Sequence, residues 1–123
     1  MVFDTGNMFY KDISQLGRET PLLQVRSPLI VDSLNSMGYD AANVGWMDLL
    51  LPGEMLAGAA SQAAFPFLSA NLRDASGNAP FEPYLIKEFD GLRVGVIGLV
   101  SHKEHAGVKG RQSPYRVLDP VET

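Results

Sequence analysis

The sequence predicts an α/β fold, a mixed β-sheet with helices packed on it. Three observations carry that reading. Short apolar runs of β-formers alternate with stretches whose apolar residues recur at helical spacing. An Asp90-Gly91 pair sits between two apolar arms, the strongest short-range mark of a β-hairpin. The 123 residues, 46% hydrophobic and 20% charged, match an ordinary soluble domain or a piece of one, so 1–123 reads as a single domain or fragment.

The elements follow in order. Met1-Val2-Phe3 reads as a strand running into the turn-rich Asp4-Thr5-Gly6-Asn7. Residues 8 to 26 read as a polar, irregular connection. Ser27-Pro28 reads as a helix start, with Ser as N-cap and Pro in the first turn, where its missing N–H costs nothing. Leu29, Ile30, Leu34 and Met37 form its apolar stripe, and Gly38 ends it. A second strand follows over Asp40-Ala41-Ala42-Asn43-Val44, ended by Gly45. A second helix starts at Pro52, with Met55, Leu56, Ala59, Ala60 and Ala63 on its inner face, and stops before Phe65-Pro66. Phe67 to Ala70 is a third strand, and Asp74 to Asn78 a loop of turn residues. The hairpin pairs Tyr84–Phe89 with Leu92–Leu99 through a type I′ turn. Its second arm is almost continuously apolar, which predicts a central strand covered on both faces. Asp119-Pro120-Val121-Glu122 has the form of a capping box. A helix start at the last residues and a strand at the first are expected of an internal piece of a longer domain. There is no internal repeat.

Right-handed crossovers make the first three strands parallel, so their C-terminal ends share one edge. That edge carries Asp4, Asn7, Trp46, Asp48 and Asn71, with Ser101 and His102 added by the hairpin's second arm. In open α/β sheets ligands bind at such an edge.

Composition removes several function classes. The net charge is −4 with no basic run, which disfavours a nucleic-acid partner. No apolar stretch approaches the ~20 residues of a membrane-spanning helix. There is no Cys, hence no disulfide and no thiolate metal site. Met1 to Asp4 lacks the basic and long apolar regions of a signal peptide. The glycines Gly6, Gly45 and Gly98 are not spaced as a phosphate-cradling loop, and no Ser-His-Asp or Cys-His set can be assembled.

Several segments, in order along the chain, resemble the 5′-nucleotidase branch of the calcineurin-like metallophosphoesterases. Val2-Phe3-Asp4-Thr5-Gly6-Asn7 is similar to that family's strand and Asp-x-Gly-Asp. Val31 to Ala41 is similar to its helix leading to Gly-Tyr-Asp-Ala. Phe65-Pro66-Phe67-Leu68-Ser69-Ala70-Asn71, Val94 to Leu99, and Asp119-Pro120-Val121-Glu122 match further family segments. The resemblance implies part of the family's α/β sandwich. In an intact member it implies a pair of divalent metals (Mn, Zn or Fe type) that activate a bridging water and clamp phosphate oxygens. It also implies a nucleotide or phosphate-ester ligand, and a periplasmic or exported parent.

The chain departs from the family's metal motifs. The resemblance places an Asp-x-His before Met1 and two later His motifs after Thr123. Asn7 stands where a metal-bridging Asp is expected, and a neutral amide holds two dications poorly. Gly45-Trp46-Met47-Asp48 stands where Gly-Asn-His-Asp/Glu is expected. Trp46 has no ligand atom, and the Met47 thioether cannot donate a proton. No metal site or other cofactor is therefore expected in this chain, and no catalytic residue is assigned. Asp4, Asn7, Trp46, Met47 and Asp48 are degenerate site positions, and Asn71 and His102 a candidate ligand edge.

Each of these has a plainer reading. Asp4 caps a turn, and Asn7 bonds its own backbone in a loop. Trp46, which could stack on a ring, instead fills the space left by absent metals. Asp48 reads as an exposed Asp before a helix. His102 and His105, three apart, read as a solvated loop rather than a Zn²⁺ pair. The functional expectation is a degenerate, catalytically inactive member that binds a ligand or serves a structural role. The alternatives are an active phosphoesterase completed by segments outside the chain, and an interaction module using an open sheet edge. Self-association, or packing against missing parts of the parent, is the expected partner behaviour.

Overall fold

A computed structural model of the chain describes residues 1–10, 20–52, 54–101 and 113–123. Strand β1 is Phe3–Asp4, β2 is Ala41–Asn43 and β3 is Phe67–Leu68. They form a parallel three-stranded sheet in the order β1-β2-β3. The expected shared edge therefore exists, with the loops after β1 and β2 side by side.

Helix α1 runs Thr20–Ser36, so it begins seven residues before the expected start. Ser27 and Pro28 lie inside it, and the stretch from 20 to 26 is helical rather than irregular. The overlooked signal is Pro21, which stands in the first turn where proline is harmless. The buried residues Leu23, Ser27, Val31 and Leu34 make the inner stripe, at spacings of four, four and three. Leu29 and Met37, placed on that stripe from sequence, are exposed.

Helix α2, Met55–Gln62, packs on α1 and buries Leu56 and Ala59. The Gln62 amide donates to the Pro28 carbonyl and to Asp32 on α1. Strand β4, Leu72–Arg73, pairs antiparallel with β7, Arg116–Val117. These two-residue strands are too short for any periodic signal. A row of aromatic rings, Tyr39, Phe65, Phe67, Phe81 and Tyr115, links the end of α1 to the residue before β7, with successive centroids 5.8–6.4 Å apart.

The hairpin is as the sequence predicts. Strand β5, Tyr84–Phe89, pairs with β6, Leu92–Ile97, over six residue pairs. Asp90 and Gly91 both have positive φ, 51° and 80°, as a type I′ turn requires. The expectation of a central, doubly covered β6 fails. Among the described strands β6 pairs with β5 alone, and Leu92 and Ile97 are largely exposed. A continuous apolar run specifies a strand that wants cover, but it does not supply the cover. At the far end, Asp119 Oδ1 accepts the Val121 N–H, so the capping signal forms a short turn.

Candidate functional site

The site is built where the loop after β1 meets the loop after β2. Asp4 Oδ1 accepts the Gly6 N–H at 2.7 Å and tightens the first turn. Gly6 adopts φ +100°, and a Cβ there would lie 2.5 Å from the Gly45 nitrogen. A Cβ on Gly45 would in turn run into the Asn7 side chain. Only two glycines let these backbones approach so closely.

Polar groups close the contact. Asp48 Oδ2 accepts the N–H of Asn7 at 2.8 Å and of Gly45 at 2.9 Å. Asn7, at φ 64°, turns its Oδ1 to the Met47 N–H at 2.8 Å. Asn7 thus bonds the opposite loop and not its own backbone. Asn43, at the end of β2, donates from Nδ2 to the carbonyls of Thr5 and Leu99. Sequence reasoning missed Asn43. A polar residue closing an apolar strand at the sheet edge was the available signal.

Asp48 is the hub. It opens a single 3-10 turn, Asp48–Leu50, and is 1% exposed, which corrects the expectation of a solvated Asp. The reason is local. Leu49, Leu50 and Leu51 are all buried, and they draw the start of the turn into the interior with them. Burial pushes the Asp48 carboxyl up to about 6; the N–H groups of Gly45, Asn7 and Phe9 oppose that rise, and the Asp4 charge adds to it. Its Oδ1 makes no standard hydrogen bond, nor does Asn43 Oδ1.

Met47 is buried and joins the hydrophobic core, while Trp46 is half-buried and packs against that core. Asn71, expected on a ligand edge, is fully buried. Its Nδ2 donates to the carbonyls of Val100 and Leu118, and its Oδ1 accepts the Val100 N–H. In this chain Asn71 stitches three segments together. His102 and His105 lie outside the described residues.

A dinuclear metal centre needs several anionic or imidazole donors converging on one point. The residues here do not fit one. The Asn7 oxygen is engaged, the Met47 side chain is in the core, and one oxygen of the buried Asp48 is taken by two backbone N–H groups. Among the described residues no three His, Asp or Glu side chains cluster as metal ligands would.

Comparison with known proteins defines the class. No protein-family model matches the chain. Its structure superposes on the calcineurin-like phosphoesterase YfkN from Bacillus subtilis with a TM-score of 0.67 and 24% identity, over 99% of this chain and 41% of that one. On the 5′-nucleotidase precursor from Thermus thermophilus the TM-score is 0.69 with 25% identity, over 98% of this chain and 23% of that one. The fold is thus that of part of a calcineurin-like metallophosphoesterase domain.

Within that class the sequence likeness is to 5′-nucleotidases. The chain is 41% identical to the 5′-nucleotidase of Vibrio cholerae over 69 residues, 55% of its own length. It spans only 12% of that relative.

Proposed function

We propose that this chain is a phosphoesterase-fold unit that no longer performs metal-dependent hydrolysis and serves as a structural or ligand-binding piece of a longer protein. The observation that carries this reading is the Asn7–Met47 contact. The side chain in the position of a bridging metal ligand is turned to a backbone N–H, and its neighbour across the loop is buried in the core. The resemblance makes a nucleotide or phosphate ester the ligand class to test, and an exported or periplasmic parent the compartment. The small share of each relative that is matched supports a parent with more chain than residues 1–123.

The test is direct. The chain is incubated with Mn²⁺ or Zn²⁺ and a mononucleotide, then with an aryl phosphate diester. No turnover is expected. Hydrolysis that survives repurification and vanishes in Asp4→Ala or Asp48→Asn would overturn the proposal and favour an active phosphoesterase.

A further inference from the structure

Charge is shared unequally across the junction of the loops after β1 and β2. Asp48 brings a buried carboxyl into it, whose Oδ2 holds the N–H groups of Asn7 and Gly45. Asn7 answers from the other loop with a neutral group, its Oδ1 accepting the Met47 N–H. The two acceptors lie against one residue. The Gly45 N–H is 2.9 Å from Asp48 Oδ2, and a Cβ on Gly45 would lie 2.2 Å from Asn7 Oδ1. Burial, three N–H groups and the Asp4 charge act on the Asp48 carboxyl, and among the described residues no cation joins them.

We propose that this junction is a one-charge staple: it closes by hydrogen bonds because position 7 carries a neutral acceptor beside the Asp48 carboxylate, and it is the neutrality of Asn7, more than its shape, that the fold requires. A second carboxylate at position 7 would meet the first across a single glycine, on a half-buried residue beside a fully buried one. Like charges repel there far more strongly than in water, because little solvent lies between them to screen the charge. The Asp4 charge, already near enough to raise the Asp48 carboxyl, would add to that repulsion. Shape does not distinguish the two side chains. Asparagine and aspartate both tolerate the left-handed backbone that Asn7 adopts, at φ 64°, and both can offer an oxygen to the Met47 N–H. Asn7→Asp therefore changes the charge and almost nothing else.

The test is a double-mutant cycle in urea, with chelator present, at about pH 7.5, above the value of about 6 to which the Asp48 carboxyl is raised. Asn7→Asp, Asp48→Asn and the double variant are compared with the unaltered chain. Asn7→Asp is expected to raise the unfolding equilibrium constant at least about tenfold. In the Asp48→Asn background the same substitution is expected to change it by less than about threefold, because the two positions again carry one charge between them. Asn7→Asp tolerated within about threefold in the unaltered chain overturns the proposal, since neutrality is then not required. An equal cost in both backgrounds overturns it too, since the loss then lies in shape. Where Asn7→Asp alone does not fold, circular dichroism of the double variant decides: recovery of the fold supports the staple, and a chain that stays unfolded refutes it. None of these readouts depends on whether the chain hydrolyses phosphate esters.

Discussion

Replacing Asp48 tests how the two site loops are held together. In the unfolded chain its carboxyl titrates near the ordinary value of 3.8, and in the folded protein near about 6. The folded state binds the proton more tightly, so protonation stabilises the fold. This contribution is fully present below pH 3.8 and is lost as pH rises through about 6. At ~1.4 kcal/mol per pH unit the gap corresponds to about 3 kcal/mol. Asp48→Asn keeps an oxygen for the Asn7 and Gly45 N–H groups and removes the titration. Asp48→Ala removes the acceptor and leaves the buried Gly45 N–H and the half-buried Asn7 N–H unpaired, at about 1–3 kcal/mol each. Urea denaturation from pH 4 to pH 7.5 measures all three proteins. The unaltered chain should lose stability relative to Asp48→Asn as pH rises across that window. At pH 4, where the Asp48 carboxyl is protonated, Asp48→Ala should be the least stable of the three, by about 2–6 kcal/mol relative to Asp48→Asn. Parallel pH profiles for the unaltered chain and Asp48→Asn would refute the buried-carboxylate account. An Asp48→Ala variant within about 0.5 kcal/mol of the unaltered chain at pH 4 would refute the hub role.

Asn71→Ala should destabilise the chain by about 3 kcal/mol or more, since it leaves the Val100 N–H and two carbonyls without their partner. A chemical melt within about 1 kcal/mol of the unaltered protein would remove Asn71 from the list of structural staples. Divalent metal should not raise the melting temperature. A specific site would stabilise by ~2.7 kcal/mol at a hundredfold excess over Kd, so a saturable rise in Mn²⁺ or Zn²⁺ over chelator would contradict the donor-set argument.

The legibility of this chain differs sharply between its parts. The positions Asp4, Asn7, Trp46 and Asp48 stand out by their place at the ends of two predicted strands, Met47 only through the family resemblance, and β1 and β2 do bring the loops together. Their roles were not legible. Met47 goes to the core and Asn7 reaches across to its backbone, because the paired glycines Gly6 and Gly45 press the loops into contact. Asp48 is buried because three leucines follow it, although an Asp before a helix is most often solvated. Similarly, Ser27-Pro28 carries a genuine start signal, yet it lies within α1, where the buried stripe from Leu23 to Leu34 outweighs a local break.

What the sequence alone determined was chemistry that acts over a few residues. Asp90-Gly91 dictates a turn with two positive φ angles, Asp119 caps its own turn, and Leu56 and Ala59 face inward at helical spacing. These depend on sterics and hydrogen bonds between near neighbours, so they survive in any surroundings. Tertiary structure decided which groups are enclosed. It buried Asp48 and Asn71, turned Met47 inward, and left Tyr84, Ile86, Leu92 and Ile97 of the β5–β6 ribbon exposed. Burial depends on contacts between residues far apart in the chain, and no local pattern records which surface another segment will cover.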